Sequence, residues 1–110
     1  MTPPVTLIDV WINCPDAATA RRIAAALIER RLAAAVNIFP PVESLYHWKG
    51  AIESAREIPL RAKTRADLFA PLAAAARALH PYETPGIHAV PAVAVTPDYL
   101  AWACAETESP

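Results

Sequence analysis

The chain has 110 residues, 55% of them apolar, a formal charge of −1 and two cysteines. That length fits one domain, 1–110, able to bury roughly two-thirds of its unfolded surface without disulfides or metals as staples. The near-neutral charge, without a basic stripe or an acidic tail, argues against nucleic acid as a main partner.

The mean hydropathy of +0.22 is high for so small a soluble domain and points to self-association. Cys14 and Cys104 fit neither a metal-finger spacing nor a CxxC pair, so both are expected as reduced, packed thiols. The opening "MTPPVTLIDVW" has no charged leader region and no long apolar run. No membrane is expected, and the expected compartment is the cytoplasm.

In chain order, "VTLIDVWI" (5–12) is a β-branched apolar run that predicts a strand buried on both faces. Asp16 is a good helix N-cap after Pro15. Ala20, Ile23, Ala24, Leu27 and Ile28 then recur at helical period, opposite Arg21, Arg22, Glu29, Arg30 and Arg31 on the wet side. "AAVNIFPPVESLYHW" predicts a long strand broken at Pro40-Pro41, neither of which can donate to a ladder. Lys49-Gly50 is a two-residue hairpin turn, and the chain returns as a strand from about Ala51 to Lys63. That turn sets Trp48 opposite Ala51 and Tyr46 opposite Glu53. Alternation then places Tyr46, Trp48, Glu53, Glu57, Arg61 and Lys63 on one face.

"TRAD" (64–67) predicts a capping box between Thr64 and Asp67. Leu68, Leu72, Ala75, Ala76 and Leu79 give the next helix its apolar stripe. Pro71 is expected to kink that helix, at a cost of ~3 kcal/mol, and Pro81 to stop it at His80. "GIHAVPAVAV" (86–95) predicts the last strand, with Pro91 marking an edge or a bulge. Thr96 and Pro97 open a terminal helix as N-cap and first residue. The polar tail beyond it is expected to fray.

The order β-α-β-β-α-β with an added helix predicts an α+β, ferredoxin-like split βαβ sandwich, with an antiparallel sheet and its helices on one face. The other face carries Trp11, Tyr46 and Trp48, and no further element exists to cover it except another copy. With two glycines, Gly50 and Gly86, there is no Gly-rich phosphate loop. No histidine is spaced to activate Cys14 or a serine, which argues against nucleophilic catalysis.

"ERRLAAAVNI", "SLYHWKGAIE", "AKT", "LHPYETP" and "DYLAW" resemble the CutA family of divalent-cation tolerance proteins, over about residues 6–104. Tyr46, Trp48, Gly50, Lys63, His80, Pro81, Tyr82, Pro85 and Trp102 match its pattern. The resemblance implies a tight homotrimer built by strand pairing, a cytosolic setting, and an association with copper and other divalent metals. Ala35 stands where the family often carries a cysteine, which argues against a thiolate copper site, and Pro59 is unusual for the family.

The site candidates are Tyr46, Trp48, Glu57, Lys63, His80, Tyr82 and Glu83, gathered in an inter-subunit cleft. His80 is also the candidate metal ligand. Its bland alternative is a helix end whose ring is favoured by the helix dipole. For Tyr82 and Glu83 the alternative is turn packing, for Lys63 a solvated charge, and for Tyr46 and Trp48 interface packing. His47 and His88 read as ordinary strand residues. The expected cofactor is Cu(II) or another divalent cation, with no organic cofactor, because imidazole and carboxylate ligands suit such ions. The function so read is non-catalytic metal binding and tolerance. One rival is a trimeric module similar to PII signalling proteins, in which a small anionic ligand sits near Arg61, Lys63 and His80 and loops contact a protein partner. Another is a small enzyme with Glu57 or His80 as general base.

Overall fold

A computed structural model describes residues 5–107; the expected fraying of the polar tail concerns residues that lie partly outside that range. The elements are β1 (Leu7–Cys14), α1 (Ala17–Glu29), β2 (Ala35–Ile38), β3 (Val42–Trp48), β4 (Ala51–Arg65), α2 (Phe69–Leu79), β5 (Ile87–Pro91) and α3 (Pro97–Glu106). Every strand pairing is antiparallel, in the order β2-β4-β1-β5, with β3 also on β4. This is the expected ferredoxin-like sandwich, with its second strand split in two at Pro40-Pro41.

The long strand β4 is the spine. Its inner half, Ile58–Arg65, pairs with all of β1, and residues 60–63 pair with β2 on the opposite edge. Its outer half, Ala51–Glu57, pairs only with β3. Fifteen residues at about 3.4 Å each give roughly 50 Å, and the molecule's long axis is 51 Å. β4 runs on through Pro59. Its carbonyl accepts from Phe39 N–H at 2.9 Å, so the N–H it lacks would face the same way, toward the end of the β2 ladder. Only one frayed ladder bond is forfeited.

The hairpin register is as the turn predicts, with Trp48 opposite Ala51 and Tyr46 opposite Glu53. Lys49 and Gly50 have φ of +49° and +83°, the two positive values a type I′ turn needs to match the strand twist.

The core lies between the sheet and helices α1 and α2. Ile8, Val10, Ile12 and Cys14 of β1 meet Ile23 and Leu27 of α1, Leu72 and Ala76 of α2, and Leu60 and Ala62 of β4. β1 is not buried on both faces. Asp9 and Trp11 are half-covered and Asn13 is exposed, because α1 and α2 pack on the other side; only Leu7, at the start of the strand, is buried on this one. In α1 the expected face is buried at Ala20, Ile23 and Leu27, partly buried at Ala24, and 43% exposed at Ile28 on the stripe's edge. The helix ends with Arg31 at φ +56°, while Arg31 N–H bonds Ile28 O and Leu32 N–H bonds Leu27 O. This is a Schellman cap with arginine in the place glycine usually takes.

Four local expectations are corrected. Thr64 does not cap α2. It is still in β4, and its hydroxyl donates to Leu32 O at 2.7 Å, fully buried. Asp67 instead takes a two-pronged bond from Arg65, Nε to Oδ1 at 3.0 Å and Nη2 to Oδ2 at 2.8 Å, which holds its carboxyl below the usual range. Pro71 does not kink α2. A 3-10 turn at Ala66–Leu68 delays the helix until Phe69, so Pro71 falls in the first turn, where an N–H has no intrahelical acceptor to lose. β5 stops at Pro91, short of residue 95, and lies at the sheet edge. Thr96 does precede α3 and Pro97 opens it, but the Thr96 hydroxyl makes no cap bond.

Asp16 caps α1 as expected, its Oδ1 accepting from Thr19 N–H at 2.7 Å. That hydrogen bond is the main cause holding its carboxyl below the usual range. A depressed carboxyl stabilises the fold above its unfolded pKa, and the gain is lost as pH falls through the folded value. Asp16→Ala should therefore lower the thermal midpoint at pH 7, and the gap to wild type should close on acidification below about pH 4. Melting curves across that range check it. Thr64→Val should cost about 1–2 kcal/mol in chemical denaturation, since it strips a buried carbonyl of its donor.

Candidate functional site

Where β1, the β3–β4 hairpin and the α2–β5 connection meet, an open cleft of about 640 Å³ forms on the side of the sheet away from α1 and α2. That volume is within the usual range for small-ligand sites. Trp11 and Asn13 come from β1, Tyr46 and Trp48 from β3, Glu57 from β4, Tyr82, Glu83 and Thr84 from the "HPYETP" connection, and His88 from β5. Strand alternation delivers them. Trp11 and Asn13 point away from the core because Val10, Ile12 and Cys14 point into it.

The centre of the cleft is a pair. The Tyr82 hydroxyl donates to Glu57 Oε2 at 2.8 Å, and Glu57 is only 6% exposed. Burial and this bond to a carboxylate both push the Tyr82 phenol well above its ordinary value. At the rim, Lys49 Nζ lies 3.3 Å from Glu83 Oε2 and 5.4 Å from the Trp48 ring centroid.

Five of the seven candidates thus line one cleft: Tyr46, Trp48, Glu57, Tyr82 and Glu83. Lys63 and His80 do not. Lys63 is directly opposite Asp9 in the ladder and its ammonium is 2.9 Å from that carboxylate. Arg61, one step nearer, donates to Asn37 Oδ1 at 2.9 Å and lies over the Trp11 and Phe39 rings. Lys63 thus has a carboxylate partner, while Arg61 has a neutral amide and two ring faces.

His80 is buried, at 8% exposure. Its Nε2–H donates to Asn13 O at 2.8 Å, and its Nδ1 accepts from Tyr82 N–H at 3.2 Å. A carbonyl can only accept and an amide N–H can only donate, so both ring nitrogens are committed. In this conformation no lone pair is left for a metal. What His80 does is fasten the connection to β1. Its ring also packs against Tyr82, centroids 4.6 Å apart, and so holds the tyrosine that holds Glu57.

The sequence reading passed over His88 and Asn13 as site residues. The signal for His88 was the alternation in "GIHAV". Ile87 packs against the core, so its neighbour must face the other side, where the register sets His88 opposite Trp11. Among the described residues no three His, Cys, Asp or Glu side chains come together closely enough to hold a metal ion. Cys14 and Cys104 are free. Cys14 faces the core, and burial above all pushes its thiol up to about 11, with Asp16 and Glu57 adding to the effect. It is thus a poor thiolate donor at neutral pH. No helix among the described residues is long and apolar enough to cross a membrane.

Comparison with known proteins agrees over nearly the whole chain. The family described as CutA1 divalent ion tolerance protein matches residues 8–106. Protein CutA of Mus musculus is 39% identical over 106 residues, 96% of this chain but 60% of that protein. The chain thus spans about 60% of the length of this mammalian relative. The structure of the divalent cation tolerance protein from Thermus thermophilus superimposes with a TM-score of 0.90 at 40% identity, over 93% of this chain and 99% of that one. CutA1 from Oryza sativa gives 0.92 at 34% identity, over 96% and 97%. The chain belongs to the CutA1 family of divalent ion tolerance proteins.

Proposed function

We propose that this chain serves divalent-cation tolerance by binding, without catalysis of its own, as a cytoplasmic homotrimer. The cation, Cu(II) foremost, is held in the Glu57 cleft, with a neighbouring copy completing its ligand shell. The observation that carries this reading is the charge of the cleft. Its ionisable lining is Glu57, Glu83 and His88, beside the phenols of Tyr46 and Tyr82, while the nearby cations Arg61 and Lys63 are already engaged by Asn37 and Asp9. Carboxylate and imidazole suit Cu(II) and Zn(II). An anionic cargo, as in a PII-like module, would meet two carboxylates instead.

Assembly is supported by what one chain leaves uncovered. The outer half of the β3–β4 hairpin carries Leu45 at 68% and Ile52 at 72% exposure, and α3 presents Tyr99 and Trp102 stacked 5.6 Å apart. Apolar side chains on a projecting ribbon are at home in an interface. The two free thiols suit a reducing compartment.

Native mass spectrometry should give three times the 11.9 kDa chain mass, with copper retained after Cu(II) loading. A monomer would sink the assembly, and a trimer that retains an anion instead of copper would favour the signalling module. In calorimetric titration, His88→Ala and Glu57→Gln should each weaken Cu(II) binding by about tenfold or more. His80→Ala should act mainly on stability. Cu(II) binding indifferent to both cleft variants would move the cation elsewhere.

Tyr82→Phe should cost about 1–3 kcal/mol, because a buried carboxylate loses its donor. A raised phenol contributes stability that is full below the ordinary tyrosine value, near pH 10, and lost as pH rises through the higher folded value. Wild type should therefore lose stability with pH above about 10 through this group, and Tyr82→Phe should lack that part of the slope. Alkaline denaturation, followed beside phenolate absorbance, measures both.

A further inference from the structure

Glu57 is the nearly sealed carboxylate of the cleft, and its one side-chain partner is the uncharged phenol of Tyr82. Among the described residues, no cation lies within ion-pair distance of it. A buried carboxylate without a counter-charge is costly, and a cationic ligand would relieve that cost. The walls around it are the rings of Tyr46, Trp48 and Tyr82, with Trp11 beside them already lying under the Arg61 guanidinium. Ring faces carry negative potential and attract ammonium groups, most strongly where water is excluded.

The rim already displays this chemistry. The Lys49 ammonium is 5.4 Å from the Trp48 centroid and 3.3 Å from the Glu83 carboxylate, so one alkylammonium of the chain itself uses an aromatic face and an acid of this wall. The inner end, at Glu57, has the same two components and no ammonium. A bare divalent metal needs several donor atoms at bonding distance, and no three His, Cys, Asp or Glu side chains converge here among the described residues. An alkylated ammonium carries its own shell of carbon and needs only ring faces and one opposite charge.

We propose that the cleft is a receptor for a small organic ammonium cation, held against its aromatic walls with its charge answered by Glu57. This assigns the same carboxylate to a cation of another class, and it does not depend on the metal reading.

The test is calorimetry with choline chloride and with its uncharged isostere, in which a tert-butyl group replaces the trimethylammonium. Wild type and Glu57→Gln are compared, and Cu(II) is titrated into the same preparations. Choline should bind saturably, about tenfold or more tighter than the isostere, and Glu57→Gln should remove most of that preference while leaving the isostere unchanged. If Glu57→Gln fails to fold, Trp48→Leu, at the end of the β3 strand and outside the core, should weaken choline severalfold. Choline binding no tighter than the isostere, or indifferent to the variant that folds, overturns the proposal. Saturable Cu(II) binding without choline binding also overturns it and leaves the metal reading standing. Choline binding without Cu(II) binding supports it and removes the metal from this cleft.

Discussion

Pairing of one strand on both its edges is the constraint from which the molecule follows. β4 bonds β1 along one edge, and β2 then β3 along the other. To carry β2 and β3 one after the other along a single edge takes a long strand, and β4 is fifteen residues long. Its inner half belongs to the core, with Leu60 and Ala62 fully buried. Its outer half belongs to the hairpin. Glu57 sits at the junction, where the covered part of the sheet gives way to the projecting ribbon. That position gives a carboxylate deep burial together with a cleft to face.

The "HPYETP" connection shows how a loop is made rigid enough to form a wall. Pro81 and Pro85 restrict the backbone, but prolines alone do not say where a loop lies. His80 does, by bonding Asn13 O on one side and Tyr82 N–H on the other. The imidazole is a bracket between β1 and the loop. From it Tyr82 is presented to Glu57. A chain of three side chains thus ties strand, loop and strand around the same space.

Much of this was legible in the sequence because it depends on short-range geometry. A two-residue turn fixes a hairpin register, so the partners of Tyr46 and Trp48 followed from Lys49-Gly50. Asp16 could be read as a cap because a cap bonds within its own first turn. Thr64 could not, because its hydroxyl goes to Leu32 O, thirty-two residues away, and nothing local announces such a partner. Pro71 was misjudged because the start of α2 was placed too early, and one turn separates a harmless proline from a disruptive one. His80 and Lys63 were drawn into the site by resemblance to a family pattern. A pattern records which residues recur, not whether a side chain faces the ligand or braces the residue that does. His88 was overlooked for the opposite reason, since a lone histidine on a strand has no motif to mark it, only its parity.

The strand order also bears on how the chain assembles in time. β3 and β4 are joined by a tight turn and can pair as soon as both exist. β1 cannot: its neighbours are β4 and β5, and the pairs Leu7–Arg65 and Ile8–Pro91 lie 65 − 7 = 58 and 91 − 8 = 83 residues apart in the chain. Contacts so distant in sequence form slowly, because loop closure precedes any reward. During synthesis the apolar run around "LIDVWI" therefore leaves the ribosome well before the strands that will cover its edges. It is a β-prone segment with both edges unpaired in that interval, interrupted by a single charge at Asp9. The same Asp9 that later pairs with Lys63 is thus the gatekeeper of the nascent chain, the residue that keeps its most adhesive stretch soluble until β4 arrives.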